Sequence, residues 1–125
     1  MKSVVLDTSF ILTCTRQKID FFEKIEFLGM KILVPLQVVK ELEGVINSKQ
    51  KLRFREEAKL ALDVLEKEKN NFRKIDLKTK NADLGIIKYS KSHPEIIVAT
   101  LDREIKRRAH VKKMFIRGKK QLDIL

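Results

Sequence analysis

The start of the chain constrains the fold most, because three consecutive apolar residues, Val4, Val5 and Leu6, leave a β-strand without a polar face. A strand of this kind is buried on both of its faces. Short apolar runs recur at residues 31–34 and 96–99, and segments with helical periodicity separate them. This alternation predicts an α/β fold. A chain of 125 residues fits one domain with its own core, so we expect no second folding unit.

The order of elements follows from the same patterns. Asp20 is a preferred N-cap residue, Gly29 suits the position just after a helix, and Pro35 suits the first turn of the next helix. The third strand pattern alternates, which indicates a sheet edge. The predicted strands span residues 3–6, 31–34, 72–77, 96–99 and, as the last element, 113–117. The predicted helices begin near Thr8, span 20–29, begin at Pro35, follow residue 51 as far as about residue 70, and span 81–92 and 103–109.

Composition excludes several classes of protein. A single cysteine cannot form an internal disulfide, and one cysteine with two histidines excludes a Cys/His zinc site of the usual spacing. No apolar run approaches the roughly 20 residues of a membrane-spanning helix, and Asp7 interrupts the first run before it could form a signal-peptide core. We therefore expect a cytoplasmic protein with no membrane partner, in which oxygen ligands hold any bound metal.

Basic residues are concentrated near the end of the chain. The net charge is +11, and residues 103–125 alone carry nine basic and two acidic side chains. A segment with this density of positive charge releases counterions from a polyanion, so a nucleic acid is the expected partner. The alternative is that these residues form an ordinary solvated surface. This segment and a second basic strip could flank one groove that binds the nucleic acid. The basic residues are Arg103, Lys106, Arg107, Arg108, Lys112, Lys113, Arg117, Lys119 and Lys120, and, in the second strip, Lys49, Lys51, Arg53 and Arg55.

Four carboxylates stand apart from those on lysine-rich helix faces. Asp7 ends the first strand and Asp102 follows the strand at 96–99. Ligands of parallel sheets bind beyond the carboxyl ends of the strands, so adjacent strands would bring these two together. Asp83 opens a helix and Glu41 borders the apolar stripe of another, and the pattern alone places neither. Asp7, Asp83 and Asp102 could instead cap helices, and helical geometry does not separate Glu41 from Glu43.

Convergence of these carboxylates would require a cation. Two unit charges ~5 Å apart repel by about 3 kcal/mol at an effective dielectric constant near 20. Hard oxygen ligands without His or Cys favour Mg²⁺ or Mn²⁺. Such an ion lowers the pKa of a bound water and stabilises charge that develops on a phosphodiester. An acidic site beside a basic segment is therefore typical of a nuclease.

The same positions resemble the motifs of PIN-domain ribonucleases. The matching stretches are VVLDTS at residues 4–9, VP at 34–35 leading into VKEL at 39–42, NAD at 81–83 and VATLDR at 98–103. The resemblance implies a single PIN-like nuclease domain over residues 1–125, with a parallel sheet, helices on both faces, and an acidic site for Mg²⁺ or Mn²⁺.

The resemblance also assigns roles to individual residues. It implies that the catalytic metal ligands are Asp7, Glu41, Asp83 and Asp102, which selects Glu41 over Glu43. Hydroxyl positions that orient ligands or waters are matched by Thr8, Ser9 and Thr100, with ordinary capping as the alternative. The residues that we expect to contact RNA are Arg103, Lys106, Arg107, Arg108, Lys119 and Lys120.

The basic end of the chain, residues 103–120, is similar to that of the PIN group that processes small-subunit pre-ribosomal RNA. The expected function is therefore a metal-dependent endoribonuclease that cleaves an rRNA precursor. One alternative is a VapC-type toxin ribonuclease with an antitoxin partner, because the bare domain is toxin-sized. The other is a non-catalytic RNA-binding ribosome-assembly factor on the same fold. A homodimer is also expected, and Phe21, Phe22 and Phe27 have the spacing of a core or of a dimer face.

Overall fold

The computed structural model describes residues 2–125 and contains one sheet with helices packed on it. Within these residues the strands are β1 (Ser3–Leu6), β2 (Lys31–Pro35), β3 (Arg73–Ile75), β4 (Ile97–Ala99), β5 (Lys112–Arg117) and β6 (Gln121–Ile124). The helices are α1 (Thr8–Arg16), α2 (Phe21–Phe27), α3 (Leu36–Ile46), α4 (Leu52–Lys67), α5 (Ala82–Ser92) and α6 (Arg103–Arg108). The predicted α/β fold is confirmed.

The strand order is β3-β2-β1-β4-β5-β6, and the neighbours from β3 to β5 pair in parallel. The chain moves from β1 outward to β2 and β3, and then crosses back to β4 on the other side of β1. The crossover direction therefore reverses between β1 and β4, which is the place where open α/β sheets bind their ligands. β3 lies at the edge of the sheet, as predicted.

The prediction that the elements end with the strand at 113–117 is wrong, because β6 follows it and pairs antiparallel to β5. The two strands form a hairpin in which Arg117 pairs with Gln121. Gly118 and Lys120 have positive φ values of 56° and 60° in the turn between them. A short turn that contains glycine, followed by the alternating Leu122 and Ile124, was the available signal. The sheet is therefore mixed, with one antiparallel edge strand.

The core lies on both faces of the sheet. Val4 and Leu6 of β1 are fully buried in the cluster formed with α1 to α4, whereas Val5 is fully buried against α5 and α6. Each such side chain contributes roughly 2 kcal/mol of hydrophobic free energy. The alternation along β1 therefore confirms the expectation that helices cover both faces.

Local signals place most helix ends correctly. Asp20 Oδ1 accepts a hydrogen bond from Glu23 N at 3.0 Å, and Gly29 follows α2 with φ +75°. Pro35, however, ends β2 and occupies the N-cap position of α3 with extended backbone angles, so its predicted place in the first helical turn is wrong. Within residues 2–125, no helix combines the length and the apolar composition needed to cross a membrane.

Candidate active site

Asp7 and Asp102 emerge from neighbouring strands. Leu6 of β1 pairs with Ala99 of β4, and the backbone N–H of Asp7 donates to the Ala99 carbonyl at 3.0 Å. The Asp102 carboxylate lies close enough to raise the pKa of Asp7 through charge repulsion. The parallel strand ends therefore bring these two carboxylates to one edge of the sheet, as the sequence pattern predicts.

A network of hydroxyl groups holds one oxygen of the Asp7 carboxylate. Asp7 Oδ2 accepts hydrogen bonds from Ser9 Oγ at 2.7 Å and from Thr100 Oγ1 at 2.8 Å. The two hydroxyls also accept from the backbone of the loop after β4, since Leu101 N donates to Ser9 Oγ and Asp102 N donates to Thr100 Oγ1, both at 3.0 Å. Ser9 and Thr100 therefore join Asp7 to the loop that carries Asp102.

The other oxygen of Asp7 is buried without a partner. Asp7 is 2% exposed, and its Oδ1 atom makes no hydrogen bond to any residue from 2 to 125. Burial raises the pKa of this carboxyl, against the opposing hydrogen bonds from Ser9 and Thr100 to Oδ2. A buried carboxylate oxygen without a donor is costly, so this atom fits a cation or a proton.

Asp83 lies in the first turn of α5 and is half-buried. The pKa of Asp83 is raised to about 6, most of all by burial and then by the negative charges of Asp7, Asp102 and Glu41, in that order. All four predicted carboxylates are therefore near enough to interact electrostatically; we call this region the acidic edge. Asn81, rather than Asp83, caps the helix, because Asn81 Oδ1 accepts from Leu84 N at 3.1 Å.

The structure separates Glu41 from Glu43. Glu41 Oε1 accepts a hydrogen bond of 2.6 Å from Thr8 Oγ1, and the Glu41 side chain is half-buried, whereas Glu43 is exposed.

The structure also shows which of the strand-end carboxylates caps a helix. Asp7 occupies the N-cap position of α1 without a side-chain capping bond, whereas Asp102 Oδ1 does cap α6, by accepting from Ile105 N at 3.0 Å.

The acidic edge is not a closed metal cage. Among residues 2–125, no three His, Cys, Asp or Glu side chains are arranged closely enough to form a ready-made metal site. The carboxylates nevertheless fit a hard divalent cation, because they offer oxygen donors and Asp7 Oδ1 lacks any other partner. Mg²⁺ in particular retains several waters and needs only one or two carboxylates from the protein.

Gln37 is a buried residue of this region that the sequence pattern did not single out. Its Nε2 donates to Asp76 Oδ1 at 2.9 Å and to the Thr79 carbonyl at 2.8 Å, and its Oε1 accepts from Leu77 N at 3.1 Å. This side chain therefore ties α3 to the loop that leads into α5. The available signal was its position four residues before Glu41, which puts both on one face of α3.

Glycine at position 85 keeps α5 close to the same loop. A Cβ atom on Gly85 would lie 2.8 Å from the Leu77 Cβ, closer than such atoms approach in proteins. The loop and the first turns of α5, which carry Asp83, are therefore packed tightly.

The predicted RNA-contact residues occupy two places. Arg103, Lys106, Arg107 and Arg108 are exposed on α6, whose first turn follows Asp102, and Lys119 and Lys120 lie in the turn after β5. β5 runs parallel to β1 and β4, so the turn that follows it lies at the carboxyl ends of the strands, as the acidic edge does. Arg107 is held by Glu104 through two hydrogen bonds of 2.6 and 2.8 Å.

The second basic strip lies on the opposite face of the sheet from α6. It occupies the connection between α3 and α4 and the first turn of α4, and α4 packs in the other core cluster. Arg53 lies 4.8 Å from the centre of the Phe54 ring, and Arg55 Nε is buried without a hydrogen-bond partner within residues 2–125.

Comparison with known proteins supports one family. The profile of the PIN-like domain family matches residues 4–119. The chain is 32% identical to Ribonuclease VapC4 of Methanocaldococcus jannaschii over 130 aligned positions, which cover 99% of this chain and 97% of that protein.

Solved structures have the same fold. The PIN domain endonuclease Utp24 superposes with a TM-score of 0.73 at 25% identity, over 98% of this chain and 90% of the other. VapBC2 from Rickettsia felis, bound to a DNA fragment from its promoter, superposes with a TM-score of 0.55 at 16% identity, over 90% of this chain and 98% of the other.

Proposed function

Since the chain belongs to the PIN-like domain family, we propose that it is an endoribonuclease that hydrolyses RNA at the acidic edge with the help of Mg²⁺ or Mn²⁺. The observation that carries this proposal is the buried, unpartnered Oδ1 atom of Asp7 beside three further carboxylates. A divalent ion bound there would lower the pKa of an attacking water and stabilise charge on the phosphodiester.

The chain's own residues prepare the site for this chemistry. Ser9 and Thr100 hold Asp7 Oδ2, which leaves Oδ1 to face a ligand. Thr8 holds Glu41, and the bond from Ile105 N holds Asp102 at the start of α6. Carboxylates fixed in this way lose little conformational entropy when they bind a cation.

The basic residues supply the attraction that the acidic edge lacks. A carboxylate cluster repels RNA, whereas the exposed cations of α6 and of the turn at residues 118–120 attract phosphates toward the same side of the sheet. The surface therefore combines a site for a divalent cation with a positively charged approach for RNA.

We propose an rRNA precursor as the substrate, on the basis of the basic end at residues 103–120. A VapC-type toxin that is held inactive by an antitoxin is the second candidate, and the near full-length match to Ribonuclease VapC4 favours it. Two experiments distinguish these candidates. In the first, RNA crosslinked to the protein in cells is recovered and sequenced, and sequencing reads concentrated in the spacers of the rRNA precursor support the first candidate. In the second, the protein is expressed in cells, and growth arrest that a small co-expressed protein relieves supports the second candidate.

The activity is tested with labelled single-stranded RNA. We expect internal cleavage in Mn²⁺ or Mg²⁺, none in a chelator, and a loss of at least about a hundredfold in Asp7→Asn and Asp102→Asn, with RNA affinity retained. The matched control is Asp63→Asn, which removes an exposed carboxylate from α4 and should cleave like the unmodified protein. Cleavage that persists in the chelator would contradict the proposal, and binding without any cleavage would favour a non-catalytic assembly factor.

A further inference from the structure

A groove lies between α5 and α6. It encloses about 370 Å³ on the face of the sheet that α5 and α6 cover. Its cationic lining residues are Lys80, Lys88, Lys91 and Arg108, and its apolar ones include Leu84 and Ile87. No acidic residue is among those that line it. We call it the α5–α6 groove.

The positive charge of the groove is largely uncompensated. Within residues 2–125, none of Lys80, Lys88 and Lys91 takes part in an ion pair. Arg108 has one partner, Glu104, at 3.9 Å. Like charges that share a groove repel each other unless an anion lies between them. The lining therefore favours a ligand with several negative charges.

The groove leads away from the acidic edge. Lys80 precedes α5, and Asp83 lies in the first turn of that helix. Leu84, Lys88 and Lys91 are spaced four and then three residues apart, so they form one stripe along α5. Lys91 is eight residues beyond Asp83, which is about 12 Å along a helix axis. The stripe therefore begins beside the candidate active site and continues along the face of the domain.

The apolar part of the stripe also suits a nucleotide. Leu84 is 48% exposed although it is a large apolar residue. An exposed apolar side chain between ammonium groups offers a surface for a ribose or a base while the cations bind the phosphates on either side.

We propose that the α5–α6 groove binds a single strand of RNA on one side of the bond that is cut, with Lys88 and Lys91 on successive phosphates and Leu84 against the nucleotide nearest to Asp83. This inference rests on the proposed endoribonuclease function. RNA is favoured over an acidic protein segment because the groove continues from the edge at which the phosphodiester is proposed to be cleaved. These residues are separate from the predicted contacts on α6 and in the turn after β5, apart from Arg108.

The test compares two variants that each remove two positive charges. Lys88→Gln/Lys91→Gln changes the groove, and Lys59→Gln/Lys67→Gln changes two exposed lysines of α4 on the other face of the sheet. Both are made in the Asp7→Asn background, and binding of labelled RNA of about 12 nucleotides, a length typical of single-strand sites, is measured over a range of salt concentrations.

We expect the groove variant to bind at least about tenfold more weakly than the control variant at low salt. Its slope of log affinity against log salt should be flatter by about 1.4, the value for two lost phosphate contacts on a single strand. Equal affinities and slopes for the two variants would overturn the proposal and leave the groove to an acidic protein ligand. RNA cleavage is also measured for both double variants in the protein with Asp7 intact. Cleavage by the control variant shows that the proposed endoribonuclease function holds even if the groove proposal fails. If the unmodified protein neither binds nor cleaves RNA, both proposals are wrong.

Discussion

Thr8 and Glu41 are joined by a hydrogen bond of 2.6 Å between Thr8 Oγ1 and Glu41 Oε1, across 33 positions of the chain. Thr8 follows Asp7 at the start of α1, so the bond fixes α3 against the helix that begins beside Asp7. One turn earlier on α3, Gln37 bonds to the loop before α5. A single face of α3 therefore connects the elements that carry Asp7 and Asp83.

Thr8→Val should weaken metal binding more than folding. The substitution keeps the shape of the side chain and removes the donor that orients Glu41, so we expect the Mn²⁺ concentration for half-maximal RNA cleavage to rise by about 10- to 100-fold. Thr8→Ser retains the hydroxyl and should behave like the unmodified protein. An unchanged Mn²⁺ requirement in Thr8→Val would show that this bond does not orient a metal ligand.

Asp83→Asn should stabilise the metal-free protein above pH 6. The pKa of Asp83 is raised from 3.8 to about 6 in the folded state, so the folded protein binds more protons than the unfolded chain and the free energy of unfolding falls as the pH rises through this range. We expect a gain of about 1 kcal/mol for Asp83→Asn at pH 7.5 in a chelator, because solvent screens a half-buried carboxyl.

Urea unfolding with and without Mn²⁺ checks this prediction. Added Mn²⁺ should stabilise the unmodified protein and remove the advantage of Asp83→Asn, since only the folded state binds the ion. Asp63→Asn, on the exposed face of α4, should change stability by less than about 0.5 kcal/mol under both conditions. Equal stability of Asp83→Asn and the unmodified protein in the chelator at all pH values would contradict the raised pKa.

Gln37→Leu should loosen the loop before α5. The substitution leaves the buried Leu77 N–H without its acceptor and removes both bonds from Nε2. We expect a loss of about 2 kcal/mol in the free energy of unfolding, because an unsatisfied buried donor costs about 1–3 kcal/mol.

Hydrogen exchange at the Leu77 amide locates the effect of Gln37→Leu. Exchange there should accelerate, while the amides of β1 keep their relative protection. The matched control is Gln50→Leu, at an exposed position between α3 and α4, which should change neither quantity. Equal exchange at Leu77 in both variants would show that Gln37 does not hold the loop.

Gly85→Ala and Gly44→Ala should have opposite effects. A Cβ at position 85 meets Leu77 at 2.8 Å, whereas a Cβ at position 44 in α3 meets no atom within 4 Å. We expect Gly85→Ala to cost about 1–3 kcal/mol through overpacking and Gly44→Ala to add about 0.5–1 kcal/mol through helix propensity. Thermal unfolding of the two variants measures both effects, and a stabilised Gly85→Ala would mean that α5 can move away from the loop.

The fold was largely predictable because its signals are local. The apolar run at residues 4–6 identifies β1, and Asp20 and Gly29 mark the ends of α2 by capping and by backbone conformation. Sequence patterns did not predict β6 because Gln121 and Asp123 alternate with its two apolar residues, so the segment contains no apolar run.

Local sequence patterns identified Asp7, Asp83 and Asp102 as candidates for the acidic edge, because the carboxyl ends of strands and the starts of helices are visible in them, whereas Glu41 was selected only by the family resemblance. Only the tertiary structure decided that β4 lies beside β1, that Thr8 reaches Glu41 rather than Glu43, and that Gln37 binds the loop before α5. These contacts join positions tens of residues apart. Their geometry depends on strand order and helix packing, which no short stretch of sequence contains.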